Sequence, residues 1–199
     1  MGYAIAEAFL NQGAKVILIS GPVNIKLSHP NLKLIQVVSA FEMFVACSFH
    51  FPHIEIAVFA AAVADYKCEI VAEEKIKKAG HELNFKLVKN IDIAFEFGKL
   101  KNHKQLSIGF ALETNDELKH TEEKLNCKNF DMVFLNSMND AGATFEHDTN
   151  KVTMIQKDLA AKEFPVKSKV EVANDIIKEI AGIIVQRQFY SGQVFDAQL

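Results

Sequence analysis

The sequence is short of the features that mark several large classes of protein. Its three cysteines, Cys47, Cys68 and Cys127, stand apart from one another and form no CxxC pair. An odd, dispersed set excludes a disulfide framework and a cysteine zinc site, and reads as reduced thiols of a cytoplasmic protein. No apolar stretch is long enough to span a bilayer, so no membrane partner is expected. Residues 1–20 lack a basic leader, and Glu7, Asn11 and Gln12 interrupt their apolar run, which excludes a signal peptide. Charge of one sign is not in excess either. A formal net charge of -3 argues against a broad basic surface for nucleic acid, while leaving room for a local basic pocket that takes a small anion.

Two further absences concern sites. The histidines form no metal constellation: His50 and His53 are split by Pro52, and His147 lies in a polar stretch. Asp140, Glu146 and Asp148 are explained equally well by turns, so no protein metal site is expected. A GxGxxG turn is missing as well, which disfavours an oxidoreductase of the Rossmann type.

What the sequence does contain is an alternation of helical and strand patterns. Residues 2–12 carry Ile5, Ala8 and Phe9 on one helical side, and Gly13 offers the left-handed C-cap. Residues 15–20 are a β-branched run stopped by Gly21 and Pro22, the pattern of a buried strand. Strands are then expected over 32–38, 54–62, 83–88, 105–112, 131–136 and 152–156, and helices over 41–49, 116–127 and 168–186. This order predicts an α/β fold, Rossmann-like and doubly wound around a mainly parallel sheet. With no internal repeat and no linker, residues 1–186 read as one domain, followed by an irregular tail over 187–199. The chain opens inside a helix, so the first strand and glycine-rich loop of such a fold are expected to be lacking.

Five segments could carry chemistry. AAAVADY (60–66) ends a strand in small residues, with Asp65 able to bond a hydroxyl or amine. EKIKK (74–78) concentrates cations suited to a polyphosphate. In VKNIDI (88–93) Asn90 is placed as an N-cap and Asp92 in the first turn, or the helix start grips a ligand with its free amides. In IGFALET (108–114) Gly109 marks a close approach of the backbone, and Phe110 is either a core ring or a platform for a flat base. Lys124 and Lys128 stand one helical turn apart, where they complement a helix dipole or meet an anion. Each segment alone has an ordinary structural explanation: tight packing, solvated lysines or capping.

Taken in order, the segments resemble the synthetase half of the bifunctional bacterial coenzyme A family, phosphopantothenoylcysteine decarboxylase/phosphopantothenate–cysteine ligase. The likeness runs from MGYAIAEAF through VVSAFEM, AAAVADY, EKIKK, LVKNIDI, GFALET, KLNCKNFDMVFLN and FEHDTNKVTMI to SKVEVANDII, and so covers the chain to about residue 180. It implies a CTP-dependent ligase that activates 4'-phosphopantothenate as an acyl-cytidylate and then joins it to cysteine. Magnesium would arrive with the nucleotide, no flavin is expected, and family members are dimers. By motif position, Ala60, Ala61, Asp65, Lys75, Ile91, Asp92, Ile93, Ala94, Phe110, Lys124 and Lys128 would bind nucleotide. Lys75 would also support the chemistry, while Ala62 and Asn90 would meet substrate. Contact between subunits, or a mobile flap, is expected in the segment after AAVADY.

Two departures stand out. Ile91 occupies a position that is usually proline in the family, and the Asn and Ser-Ser-Gly-Lys run that normally precedes MGYA has no counterpart. A nucleotide-binding remnant of the family that does not turn over is therefore the second reading.

Overall fold

Helix α1 (Gly2–Asn11) ends beside Gly13, whose φ of 85° gives the left-handed turn expected of it. Strands β1 (Val16–Ser20) and β2 (Leu32–Gln36) follow and pair in parallel, Val16 opposite Leu32. Helix α2 (Ala40–His50) begins at Ser39, whose hydroxyl accepts from the Glu42 N–H, while the Glu42 carboxylate accepts from the Val38 N–H. Two donors at the helix start are thereby satisfied reciprocally. Pro52, in a tight turn over Phe51–His53, stops it.

The chain continues through β3 (Ile56–Phe59), β4 (Tyr66–Cys68), β5 (Leu87–Lys89), α3 (Ile93–Leu100), β6 (Leu106–Glu113), α4 (Glu117–Cys127) and β7 (Met132–Ser137). It finishes with β8 (Thr149–Asn150), β9 (Thr153–Gln156), β10 (Lys162–Glu163), β11 (Lys167–Ser168) and α5 (Lys169–Ser191). The computed structural model describes residues 1–72, 74–77, 83–137, 149–157 and 159–191, with the side chains of Ser137, Tyr190 and Ser191 excepted. Lys78, Asp140, Glu146, His147 and Asp148 lie outside the described residues.

The main sheet has the order β10–β9–β7–β6–β3. Its β3–β6 and β6–β7 pairs are parallel, and β9 and β10 extend it antiparallel. Alternation along the strands sorts side chains to two faces. Ile108, Met132, Phe134 and Met154 face α1 and α5, joining Ile5, Phe9, Val172, Ile176 and Ile180 in one buried cluster. Ala111, Val133, Leu135 and Ile155 face the other way, toward Leu125 of α4 and Phe130. Helices on both faces of a mainly parallel sheet are the α/β architecture the sequence patterning predicts.

Several expectations need correction. Strands β1 and β2 form a separate two-stranded ladder, with no strand among the described residues joining them to β3. Neither β1 nor β3 is a fully buried strand, since every residue of β3 and most of β1 keep partial exposure. The strand expected over 54–62 is confined to Ile56–Phe59, and that expected over 83–88 shrinks to Leu87–Lys89. Helix α5 overruns its expected end and continues to Ser191. Arg187 explains the overrun: it donates to the Gln105 carbonyl and pairs with Asp131 at 2.5 Å, pinning the last turns to the sheet.

Candidate functional site

In an open parallel sheet, loops at the carboxyl ends of the strands converge where side chains from different elements meet. Here β3 runs out into residues 60–65, and β6 ends at Glu113. The start of α3 is drawn up against the first of these loops by Asn90. The Asn90 N–H donates to the Asp65 carbonyl at 2.7 Å, and Asn90 Nδ2 donates to the Ala64 carbonyl at 3.0 Å. Its Oδ1 accepts from the Ile91 N–H at 3.0 Å. The helix N-cap is therefore not Asn90, as the sequence suggested, but Asp92, whose Oδ1 accepts from the Phe95 N–H at 3.1 Å. The asparagine comes two residues too early and spends its amide on the neighbouring loop. Among the described residues the N–H groups of Ile93 and Ala94 find no acceptor, as is usual in a first helical turn.

Lys128 and Lys124 are brought to this region from α4. Lys128 Nζ lies 3.0 Å from Asp92 Oδ2, at the start of α3. Lys124 Nζ lies 2.6 Å from Glu113 Oε1, at the end of β6. No hydrogen bond satisfies that oxygen, so the contact is an ion pair off the hydrogen-bonding direction. His120 Nδ1 stands 3.8 Å from the other Glu113 oxygen. These two partly exposed lysines, one helical turn apart at the end of α4, each hold a carboxylate, and the Lys128–Asp92 pair sits at a helix N-terminus. That arrangement suits an anion able to displace a carboxylate from an ammonium.

The packing of α4 follows from two glycines. A Cβ on Gly98 would lie 2.2 Å from the Lys128 carbonyl, and one on Gly109 would lie 2.3 Å from the Phe130 ring. The close approach at Gly109 is thus made by Phe130. Phe110, next to it, is partly exposed and stacks on Phe134, with centroids 5.6 Å apart, so one side of its ring serves the core.

The structure brings Asp65, Asn90, Ile91, Asp92, Ile93, Ala94 and Lys128 together, with Ala60, Ala61 and Ala62 leading into the same loop. Lys75 is exposed, outside any helix or strand, and no contact among the described residues links it to this group. Glu113 was given no part by the sequence reading. Its motif was visible, but only the fold puts its carboxylate against Lys124. Among the described residues no group of three or more His, Cys, Asp or Glu side chains could hold a metal ion, and no helix is long and apolar enough to cross a membrane.

Comparison with known proteins gives a consistent match. Residues 1–184 match the family of the DNA/pantothenate metabolism flavoprotein C-terminal domain. The chain is 43 % identical over 180 residues to the coenzyme A biosynthesis bifunctional protein CoaBC of Haemophilus influenzae, covering 90 % of this chain and 44 % of that protein. It is 39 % identical over 186 residues to CoaBC of Bacillus subtilis, covering 94 % and 46 %. A prokaryotic protein named cysteine/cysteine sulfinic acid decarboxylase is 44 % identical over 184 residues, covering 92 % and 51 %. The chain thus spans about half the length of these curated relatives. Among solved structures, the C-terminal domain of CoaBC superposes with a TM-score of 0.77 at 34 % identity, covering 93 % of this chain and 82 % of that one.

Proposed function

Because the chain belongs to the family of the DNA/pantothenate metabolism flavoprotein C-terminal domain, we propose that it binds CTP and ligates 4'-phosphopantothenate to cysteine in coenzyme A biosynthesis. The observation that carries this reading is the pair of lysines at the end of α4: Lys128 lies 3.0 Å from Asp92 at the start of α3, and Lys124 lies 2.6 Å from Glu113 at the end of β6. Two cations near a helix start whose Ile93 and Ala94 N–H groups find no acceptor among the described residues suit the triphosphate, and the main chain of 60–65 and 91–94 suits the base and ribose.

In the reaction, the carboxylate oxygen of 4'-phosphopantothenate attacks the α-phosphorus of CTP. The bond to the bridging oxygen breaks, leaving an acyl-cytidylate and pyrophosphate. The cysteine amine then attacks the acyl carbon, expels CMP and loses a proton as the amide forms. Lys124 and Lys128 would neutralise charge that grows on the departing phosphates, and Lys75 would swing in from its exposed segment to do the same. Magnesium carried on the triphosphate would add Lewis-acid stabilisation of the same oxygens. Holding the two anions together is the larger task, since positioning alone is worth several kilocalories per mole, about 7–11 in the best cases.

Calorimetric titration with Mg-CTP, against Mg-ATP, tests the reading. CTP should bind in preference, and Lys128→Ala should weaken it by about tenfold or more, the scale of one charge-assisted contact. Equal affinity for CTP in that variant would remove the phosphate assignment. Binding without turnover would select the second reading, a nucleotide-binding member that does not ligate. No flavin belongs to either reading, and the cytoplasm is the compartment both imply.

A homodimer accompanies this proposal. Strands β4 and β5 form an isolated antiparallel ladder, and Tyr66, Ile70, Val71, Leu83, Phe85 and Leu87 on and around it are exposed. Two strands alone are marginal in water, so a second copy is the natural cover. Sedimentation should give a dimer that Ile70→Asp with Val71→Asp converts to monomer; a monomeric parent chain, or a dimer indifferent to both changes, would reject it.

A further inference from the structure

We propose that Asn90 is a positioning residue that sets the width between the loop 60–65 and the start of α3, and through it the choice of nucleobase. This rests on the nucleotide reading above but goes beyond it, because it gives the Asn90 side chain to the main chain and not to substrate. The argument starts from its bonds. Both ends of the amide and the backbone N–H are engaged, with the Ala64 carbonyl, the Ile91 N–H and the Asp65 carbonyl respectively, at 2.7–3.0 Å. Two of these bonds cross 25 and 26 residues of sequence, and among the described residues they are the hydrogen bonds that join the two segments.

The location gives the bracket its leverage. Immediately beyond it Tyr66 pairs with Lys89, and the β4–β5 ladder departs from the main sheet. The Asn90 bonds are therefore the last links between two walls before they lead away. On the other side, Asp92 continues the same segment and holds Lys128, so a shift at residue 90 carries to the phosphate end. Walls made of main-chain groups have no side chain to swap for specificity. They discriminate a pyrimidine from a larger purine by the distance between them, and Asn90 fixes that distance. The usual proline at position 91 is replaced by Ile91, which supplies the very N–H that Asn90 Oδ1 accepts; proline has no such donor.

Two variants and two readouts test the proposal. Asn90→Ala removes the side-chain half of the bracket and leaves only the main-chain bond to Asp65, while Asn90→Asp keeps the acceptor for Ile91 but turns the other end into an oxygen facing the Ala64 carbonyl. Amide exchange, which needs no nucleotide, should quicken by about tenfold or more in both variants at residue 90, whose N–H crosses to the Asp65 carbonyl, with Met132–Ser137 protected in both. Titration with Mg-CTP and Mg-ATP should show the CTP preference falling toward parity in both variants. Exchange unchanged at residue 90 in both variants would overturn the bracket itself. Faster exchange with the CTP to ATP ratio intact, or equal loss of both nucleotides, would overturn the role in selection and leave a purely structural bond. If the parent chain bound neither nucleotide, the proposed function would fall and selection with it, while exchange would still decide the bracket.

Discussion

The two flanks of this molecule are built from the same kinds of residue and reach different degrees of burial. On one flank Met132, Val133 and Phe134 of β7 are wholly enclosed, between α5 on one face and α4 on the other. On the other flank β1 and β3 are equally rich in Val, Ile and Leu, yet Ile17 is 37 % exposed and no residue of β3 is fully buried. Apolar patterning says that a strand wants two covered faces; it does not say that both faces and both edges find cover. The candidate site lies along the seam between the flanks. Its lysines stand on the well-packed α4, and its main-chain loop issues from the half-covered β3.

The sharpest way to test this contrast is a matched pair of truncations. Phe134→Ala should cost about 3–5 kcal/mol in denaturant unfolding, the usual range for an enclosed aromatic ring. Ile17→Ala should cost under about 1.5 kcal/mol, because a third of the side chain is already in water. Equal costs would erase the distinction between the flanks. Between these extremes lies Asp131→Asn. Asp131 Oδ2 accepts from the Ser107 N–H at 2.7 Å and from Lys101 at 3.1 Å, and Oδ1 pairs with Arg187. The amide keeps one acceptor but loses the charge shared by two cations, so a loss of about 1–3 kcal/mol is expected. The ends of α5 should fray with it, read as faster exchange over residues 185–189. An effect confined to α5, with no change in global unfolding, would place Asp131 outside the cooperative core.

Much of the fold was legible because it is local. The helices at 2–11 and 117–127 and the strands at 106–113 and 132–137 follow from apolar spacing and from Gly13 as a stop. What escaped depended on distant partners. The end of α5 is set by Arg187 reaching Asp131, 56 residues away, and nothing around Arg187 signals that. The cap of α3 was misassigned because Asn90 and Asp92 are both good caps in sequence, and only the competing Ala64 carbonyl decides between them. For the site, types were easier to read than pairings. Lys124 and Lys128 stood out by their spacing, while the carboxylates that hold them became visible only in three dimensions.

The gap between β1 and β3 has a consequence for how this chain behaves among its neighbours. Val16 donates to Asn31 and Ser20 accepts from Val37, so on β1 the even-numbered residues face β2, and Ile17 and Ile19 direct their N–H and C=O groups the other way. On β3, Glu55 accepts from Leu106, which leaves Ile56 and Val58 turned away from β6. Helix α1 caps only the carboxyl ends of these edges, through Tyr3 to Ser20 and Gly2 against Ala60. Among the described residues no strand fills either edge, so both strands present ladder groups along their length. Any extended segment that meets them, from this polypeptide or from another, can complete the ladder on either edge.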